Sequence, residues 1–521
     1  MGDFMKKTLF IKNTAYLTAS SLVLRFAGIV FKVWLAARIG AKGMGLYQLV
    51  FSLYLLAAAF ATGGIPTAVT RLVAGESALG SRDGVKKILS VAFKANLLIS
   101  AATAAVLIFG ANRLSLFLVG SHDAAASIKT LSLCVFFTGV CSVFKGYFLA
   151  RRNAAPLTAA GLLEQFSRIF ITAVTVAAVY SKGLYAVCAA AFIGDTAAEF
   201  VAAAYLFFRY RADRKRLPEG GRRYEKRPIK ALFHICAPLS AGKYLNSFLR
   251  TAENTLVPKA LSVFEGKNAL SLFGAIKGMA LPVLLFPSVI LGAVSTLLIP
   301  EMSEAKQRRQ SGLVRCAVEE ILHAAAVAGF ICAAIFAVCG HKIGELLYKS
   351  DEVGFLLTAL SPIVPLMYAD SLCDGLLKGL DQQSFTFRVS VSDSAARIVL
   401  IFFFVSRTGI AGFIGIMYLS NLATCALNVR RLIKISGAAA DLKRTVIIPV
   451  LVAAQASLFS KLILDIFSLS DLVYIILLCC VCLPVYFLAL WLLGCMNFIS
   501  LGRIRPHKKY AAPITGTSLI K

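Results

Sequence analysis

The sequence predicts an all-α polytopic membrane protein of about 14 transmembrane helices, arranged as two six-helix lobes with two extra C-terminal helices. Three observations support this prediction. Apolar residues make up 58% of the 521-residue chain and charged residues only 16%, which is far from the composition of a soluble protein. Apolar runs of about 20 residues, the length that crosses a bilayer core of about 30 Å, recur along the chain. The two halves of the chain also align with each other.

The apolar runs define the positions of the predicted helices, with boundaries accurate to a few residues. The first run follows Lys6, Lys7 and Lys12 and has no small-residue cleavage site, so we expect an uncleaved first helix. The eighth run contains Pro282 and Pro287, and we expect it to be long and kinked. The runs cover residues 10–36, 46–70, 86–110, 126–150, 157–180, 184–208, 231–258, 268–300, 313–339, 354–378, 384–406, 410–432, 445–466 and 471–495.

An internal repeat relates the two halves of the chain. The segment that begins at Gly146 aligns without gaps on the segment that begins at Gly375, and it places Arg168 on Arg397. Each half contains six helices, so both lobes have the same orientation and are related by an axis along the membrane normal. The predicted domains are an N-terminal lobe (1–208), a basic cytoplasmic linker (209–230), a C-terminal lobe (231–433), two additional transmembrane helices (434–495) and a basic cytoplasmic tail (496–521).

The distribution of the 55 basic residues predicts the orientation of the chain. With both termini in the cytoplasm, about 36 of them fall in cytoplasmic segments and about 11 in external loops, which is the positive-inside pattern. Loops near Lys42, His122 and Lys349 are then external, and the linker 209–230 lies beside anionic lipid headgroups. The net charge of +29 therefore indicates a multi-pass protein of the cell membrane, and no nucleic-acid partner is expected.

Basic residues inside the predicted helices are candidates for binding an anion. A charge at the bilayer centre costs about 2.5–3.5 kcal/mol on insertion scales, so such side chains face water, a partner or the protein interior. Arg25 lies about 22 Å along the first helix, which contains no carboxylate, and shares a polar stripe with Lys32. Arg250 lies on a similar stripe of the seventh helix, where Glu253 could pair with it. The candidates for substrate binding are Arg25, Lys32, Arg168, Arg250, Lys277 and Arg397.

Two of these arginines have an alternative, structural explanation. Glu164 precedes Arg168 by one helical turn, and Asp393 precedes Arg397 by the same spacing, so each pair could neutralise itself inside its own lobe. The acids within helices are possible sites for a coupling cation or proton, although a packing or helix-end role is the favoured explanation of each. The membrane potential alone could also drive an anionic lipid outward. These acids are Asp195, Glu199, Asp370, Asp374 and Asp393.

The 13 cysteines and five histidines indicate neither a metal site nor a disulfide framework. Most of the cysteines lie inside apolar runs without paired ligand spacing, and we expect them to behave as small buried residues. No histidine is spaced with acids as a metal ligand, and external loops of about 8 to 20 residues leave no room for a catalytic domain. We therefore expect no metal, no cofactor and no enzymatic activity.

Three motifs stand out in the sequence, namely GLYQLVFSLYLLAAAFATGGIPTAVTRLVAGESA, GYFLARRNAAPLTAAGLLEQFSRI and MALPVLLFPSVILGAVSTLLIPEMSEA. They resemble the stage V sporulation protein B group of polysaccharide transporters, within the multidrug/oligosaccharidyl-lipid/polysaccharide (MOP) superfamily of flippases. The resemblance implies alternating access of a central cavity between the two lobes. It also implies a lipid-linked glycan as cargo, such as the undecaprenyl-pyrophosphate peptidoglycan unit (lipid II), moved from the inner to the outer leaflet.

The murein flippases of this superfamily place arginines on the first helix and a basic residue before a Leu-Pro of the eighth helix, which Arg25 and Lys277 match. Their arginine on the second helix has no counterpart between Leu46 and Thr70, so the glycan is left open, as is a role in sporulation, general cell-wall synthesis or capsule export. The expected partners are the lipid-linked glycan and membrane lipids, and the expected state is a monomer. The alternatives are a multidrug exporter, which should carry acids in its cavity, a membrane-embedded glycan transferase and a structural scaffold.

Overall fold

The computed structural model describes residues 2–215, 228–439 and 441–495, which form helices and turns without a β-strand. Most of the predicted linker and the whole predicted tail lie outside these ranges. The helices are α1 (Gly2–Thr62), α2 (Ile65–Ala78), α3 (Arg82–Val119), α4 (Ala125–Ala150), α5 (Ala155–Val179), α6 (Leu184–Arg214), α7 (Pro228–Glu265), α8 (Ala269–Gly274), α9 (Leu281–Leu285), α10 (Ser288–Gln307), α11 (Ser311–Tyr348), α12 (Asp351–Leu360), α13 (Val364–Gly379), α14 (Gln383–Leu400), α15 (Ser406–Ser436), α16 (Ile448–Leu464) and α17 (Asp471–Leu492).

Within the described residues, 11 stretches are long and apolar enough to cross a membrane. Three of them contain 54 to 58 residues, namely Leu22–Ala78, Pro228–Leu285 and Gln383–Ser436. Because about 20 residues suffice for one crossing, each of these three can cross twice, which is compatible with 14 crossings. The chain is an all-α multi-pass membrane protein, as predicted, while the number 14 stays a prediction.

Glycines in the left-handed region interrupt each of the three double-length stretches. Gly40 has φ 70°, Gly266 has φ 58° and Gly409 has φ 61°. A residue with a side chain is strained at such a φ, whereas glycine adopts it without steric strain and can therefore interrupt the helix there. The predicted kink in the eighth run is confirmed, because the helix is a π-helix over Ala275–Ala280 and is interrupted again between α9 and α10.

Turns recur in the structure at the spacing of the sequence repeat. Arg152 and Asp381, which are 229 positions apart, have φ 53° and 59°. The amides that follow them donate to equivalent carbonyls, Asn153 to Phe148 and Gln382 to Leu377. Two other left-handed pairs have the same spacing, Gly80 with Arg309 and Gly120 with Lys349. Equivalent segments of the two repeats therefore end in equivalent turns, while the boundaries of the two lobes stay a prediction.

The chain forms two compact units. Unit 1 contains Met1–Val283 and Ser394–Phe413, and unit 2 contains Leu284–Asp393 and Ile414–Lys521. Each unit has an apolar core of its own. Fully buried members include Val69, Ile88 and Tyr147 in unit 1, and Val318, Leu377 and Leu432 in unit 2. These cores hold the helices that carry the polar residues described below.

Glycines allow two helical segments of unit 1 to approach at backbone distance. A Cβ atom added to Gly45 of α1 would collide with the carbonyl oxygen of Leu270 in α8. A Cβ atom added to Gly274 would collide with the carbonyl oxygen of Ala41. Only residues without a side chain fit such a crossing. The crossing lies directly before the π-helix, which begins at Ala275.

Candidate functional site

Lys277 lies in the π-helical segment Ala275–Ala280 of unit 1. The carbonyl oxygen of Lys277 accepts a hydrogen bond from Gln48 Nε2 of α1 at 3.5 Å, and Gly278 beside it packs against Met44 of α1. A π-helical turn lacks the regular i to i−4 hydrogen bonds and occurs often at functional sites. Contacts with α1 at Lys277 and at Gly278 therefore hold the backbone that carries the Lys277 side chain.

Glu253 of α7 links Lys277 to Arg397 of α14. Lys277 Nζ lies 3.3 Å from Glu253 Oε1, and Arg397 Nη2 lies 3.1 Å from Glu253 Oε2. Arg250, one turn earlier on α7, is within electrostatic range of the same carboxylate. Thr251 anchors this part of α7 by donating a hydrogen bond to the carbonyl oxygen of Ser52 at 3.0 Å. We call Arg250, Glu253, Lys277 and Arg397 the Glu253 cluster.

Burial within the Glu253 cluster is uneven. The Glu253 side chain is 3% exposed, whereas Lys277 is 20% and Arg397 is 22% exposed. Arg250 is exposed, and the Lys277 ammonium lies 5.9 Å from the ring centroid of Phe413. The Glu253 carboxylate is thus buried, while the side chains of Lys277, Arg397 and Arg250 are at least partly exposed. Such an arrangement suits an anion, because guanidinium groups bind phosphate oxygens in pairs and stay charged.

The repeat-equivalent Arg168 of α5 lies among carboxylates. Its Nη2 is 2.7 Å from Glu164 Oε1 and its Nε is 2.9 Å from Asp195 Oδ1 of α6, while its Nη1 donates to Gln165 Oε1 at 3.1 Å. Asp195 is buried and also accepts a hydrogen bond from Tyr47 Oη at 3.1 Å. We call Arg168, Glu164, Gln165, Asp195 and Tyr47 the Arg168 cluster. Two nitrogens of this guanidinium donate hydrogen bonds, to Glu164 and Gln165, and the third lies close to the Asp195 carboxylate.

Further charges surround the Arg168 cluster. Lys145 Nζ lies 3.8 Å from Glu164 Oε2, and the buried Glu199 is within electrostatic range of Glu164, Lys145 and Arg168. Lys32 of α1 is half-buried and lies within electrostatic range of Arg168 and Asp195. The acids and bases here balance closely. This surrounding favours the structural explanation of Arg168 over a role in binding an anion.

Arg25 has a different environment from the other predicted residues. Its side chain is exposed, and no hydrogen bond or ion pair joins it to another part of the chain that the structure describes. Lys32, seven residues later on α1, is the nearest of the predicted candidates along the chain. Arg25 is therefore available to a ligand. The structure brings Lys277, Arg397 and Arg250 together, and it brings Lys32 towards Arg168.

Three of the five acids predicted as possible ion-coupling residues lie in unit 2, and each contacts a protein group. Asp370 Oδ1 accepts from Asn428 Nδ2 at 2.7 Å, and Asp374 Oδ2 lies 2.5 Å from Lys378 Nζ. Asp393 Oδ1 accepts from Ser420 Oγ at 2.5 Å. These contacts are compatible with a packing role, and ion coupling stays a hypothesis. Over the described ranges, no three His, Cys, Asp or Glu side chains are grouped to hold a metal ion.

All 13 cysteines lie in the described ranges and are free. Most are buried or half-buried, as expected for small apolar residues in helices, but Cys480 is exposed. Two acids have contacts that the sequence did not indicate. Glu253 contacts Lys277 and Arg397 in addition to lying near Arg250, and Asp195 pairs with Arg168. The signal that could have revealed them is an acid in an apolar helix, which needs a partner from somewhere.

Comparison with known proteins agrees with this architecture. The family described as polysaccharide biosynthesis protein matches residues 10–306. Stage V sporulation protein B of Bacillus subtilis (strain 168) is 25% identical over 410 residues, which cover 77% of this chain and 79% of that protein.

Two solved structures share the fold. Lipid II flippase MurJ in an inward closed conformation aligns with a TM-score of 0.67 and 13% identity, covering 94% of this chain and 100% of MurJ. A multidrug resistance MATE family transporter of the MOP superfamily, in an inward-facing conformation, aligns with a TM-score of 0.62 and 12% identity, covering 81% and 100% of the two chains. The names of these two structures describe a flippase and a transporter.

Proposed function

The chain belongs to the polysaccharide biosynthesis protein family, and from that premise we propose that it moves an undecaprenyl-pyrophosphate-linked glycan from the inner to the outer leaflet. It is a multi-pass membrane transporter of the MOP superfamily. The cargo would be lipid II or a related polysaccharide unit. The observation that carries the proposal is the Glu253 cluster, in which three basic side chains are gathered on membrane-spanning helices around one buried carboxylate.

The pyrophosphate headgroup is the part of the cargo that the basic residues would bind. Its charge cannot cross hydrocarbon without compensating cations, and arginine offers paired contacts to phosphate oxygens. Arg25, which is exposed on α1, would contact the headgroup together with Lys277, Arg397 and Arg250. Lys32 would contribute positive potential from the same helix. Binding has to stay modest, since cargo held too tightly in one state does not leave from the other.

Alternating access would carry the bound headgroup from one side of the membrane to the other. The driving force would be the membrane potential acting on the anionic lipid or a cation bound near Asp370, Asp374 and Asp393. The amide of Asn428 and the hydroxyl of Ser420, which contact two of these acids, are groups that could also serve a bound cation. The protein would act as a monomer, without a cofactor.

Lipid identification and reconstituted transport test the proposal. Mass spectrometry of lipids that co-purify with the protein should find undecaprenyl-pyrophosphate-linked glycans. Proteoliposomes loaded with a fluorescent lipid II should show protein-dependent appearance of the headgroup in the opposite leaflet. Export of cationic dyes without lipid movement would instead favour a multidrug exporter, and transfer of the glycan to an acceptor would favour a transferase.

The orientation is tested by labelling with an impermeant thiol reagent in intact cells, in a variant whose native cysteines are replaced. Single cysteines near Lys42, His122 and Lys349 should react, because these positions are predicted to be external. A single cysteine within 209–230 should react only after the membrane is opened. Labelling of the 209–230 position in intact cells would reverse the orientation and place both termini outside.

A further inference from the structure

We propose that Glu253 is an internal substitute for the cargo's pyrophosphate: its carboxylate holds Lys277 and Arg397 when no cargo is bound, and a pyrophosphate oxygen must displace it for cargo to bind. The inference rests on the proposed function, and it adds an anion subsite and a residue that competes for it. The cargo class that the subsite would accept is a lipid pyrophosphate, in preference to a monophosphate.

The first argument is geometric. Each oxygen of Glu253 contacts a different cation, Lys277 at 3.3 Å and Arg397 at 3.1 Å. These cations come from a π-helical segment and from α14, so the carboxylate bridges two elements that are distant in the sequence. Two neighbouring oxygens of a phosphate group could make the same pair of contacts, because phosphate and carboxylate both accept paired charge-assisted hydrogen bonds.

The second argument concerns burial and charge. Both oxygens of Glu253 are in use, and the side chain is 3% exposed. Arg250 remains exposed beside them, within electrostatic range of Glu253. One carboxylate therefore faces three basic groups. A pyrophosphate brings more oxygens and more negative charge than one carboxylate, so it can occupy the subsite and also engage Arg250.

The third argument concerns the stability of the protein without cargo, when Lys277 and Arg397 have no pyrophosphate to bind. Removing one member of a buried ion pair is strongly destabilising because the remaining charge is uncompensated. Without Glu253, Lys277 would carry this cost whenever cargo is absent, and Arg397 would lose its contact with this carboxylate. Glu253 removes the cost in the empty state and lowers the net gain from cargo. The same competition would assist release, since Glu253 can return as the headgroup leaves.

The experiment measures binding of farnesyl pyrophosphate to the purified full-length protein in detergent. Four proteins are compared: wild type, Glu253→Gln, Glu253→Asp and Glu164→Gln. Glu253→Gln should bind about tenfold more tightly, a difference of about 1.4 kcal/mol, because no charge competes. Glu253→Asp keeps the charge but shortens the reach, and it should bind several-fold more tightly than wild type. Glu164→Gln removes one negative charge from the Arg168 cluster and should bind within about twofold of wild type.

A melting curve provides a second measurement in case Glu253→Gln folds poorly. Without ligand, Glu253→Gln should melt below wild type because Lys277 and Arg397 lose their carboxylate. Saturating farnesyl pyrophosphate should restore most of the loss and raise its melting temperature more than that of wild type. Inorganic pyrophosphate is the second arm, and it reports whether the headgroup suffices without the lipid chain.

Three outcomes would overturn the inference. Tighter binding by Glu253→Gln with wild-type binding by Glu253→Asp would mean that Glu253 acts only as a distant charge. Weaker binding by both variants would mean that Glu253 positions the cations for the cargo. Equal tightening by Glu164→Gln would mean that any lost acid has the same effect.

Failure of the proposed function gives a different result. If wild type binds farnesyl pyrophosphate and the variants follow the expected order, but no lipid-linked glycan moves in proteoliposomes, the subsite stands and the transport proposal fails. If the glycan moves and the four proteins bind farnesyl pyrophosphate equally, the transport proposal stands and the role of Glu253 fails.

Discussion

The Arg168 cluster and the Glu253 cluster both contain an arginine from the same position of the sequence repeat, yet their charges differ. Arg168 contacts two carboxylates, Glu164 and Asp195. Arg397 contacts Glu253, and that same carboxylate also serves Lys277 and lies near Arg250. The central arginine of the first cluster contacts two acids, whereas the central acid of the second cluster contacts two bases.

Equivalent positions of a sequence repeat can therefore serve different roles, one structural and one in binding. A buried arginine enclosed by acids is costly to disturb, which suits a fixed joint between helices. Basic groups that share one acid retain capacity for a further anion, which suits a binding site. In unit 1, the contacts of Arg168 join α5 to α6, whereas those of Arg397 converge on α7 with a second cation.

The largest effect is expected from Arg168→Ala. The change leaves Glu164 and Asp195 without their guanidinium, and breaking a buried pair in this way costs about 3–5 kcal/mol of stability. A melting curve in detergent should show a large drop, with little folded protein at growth temperature. A variant that melts like wild type but does not move cargo would instead assign Arg168 to substrate binding.

Arg397→Ala should affect ligand binding strongly. Hydrogen bonds to charged groups contribute about 1.5–3 kcal/mol each, so affinity for farnesyl pyrophosphate should fall about 10- to 100-fold. Its melting temperature should fall less than that of Arg168→Ala, because Glu253 keeps Lys277. Arg397→Lys is the matched control and should recover part of the affinity, since the charge stays and the paired contacts are lost. Unchanged affinity in Arg397→Ala would remove the Glu253 cluster from the binding site.

Arg25→Ala should reduce lipid transport by about tenfold or more, as expected for the loss of about 1.4 kcal/mol or more of binding. Stability should stay level or rise, because removing an unpaired charge relieves an insertion cost of about 2.5–3.5 kcal/mol. Arg25→Lys should keep partial transport. The measurement is the proteoliposome assay beside a melting curve. Wild-type transport by Arg25→Ala would end its role as an anion receptor, and loss of folded protein would make it structural.

The smallest effect is expected from Asp393→Asn, at the repeat position of Glu164. Asparagine can still accept the hydrogen bond from Ser420, so stability should fall less than in Arg168→Ala. The melting temperature and the dependence of transport on sodium and on pH are the measurements. Transport that loses its sodium or pH dependence in this variant would assign ion coupling to Asp393 and would set the two repeat positions further apart.

The class of fold and most of the helix positions could be predicted from the amino-acid sequence. Apolar runs of membrane-crossing length are local features, and so are the basic residues inside them. The repeat is also readable along the chain, and the left-handed turns at Arg152 and Asp381 show the same spacing in the structure. These properties follow from the order of residues within one segment, because each helix satisfies its own backbone hydrogen bonds in the membrane.

The ion pairs between residues distant in the sequence could be identified only from the packing of the helices. The spacing of Arg168 from Glu164 is visible in the sequence, but its second partner Asp195 comes from the next helix. Likewise, Glu253 lies near Arg250 along α7, whereas its contacts with Lys277 and Arg397 depend on how α7 packs against two other segments. The π-helix around Lys277 follows Gly274, where two helical segments approach at backbone distance. An ion pair needs two groups within about 4 Å, and for residues distant in the chain that distance is set by the packing of helices and not by sequence spacing.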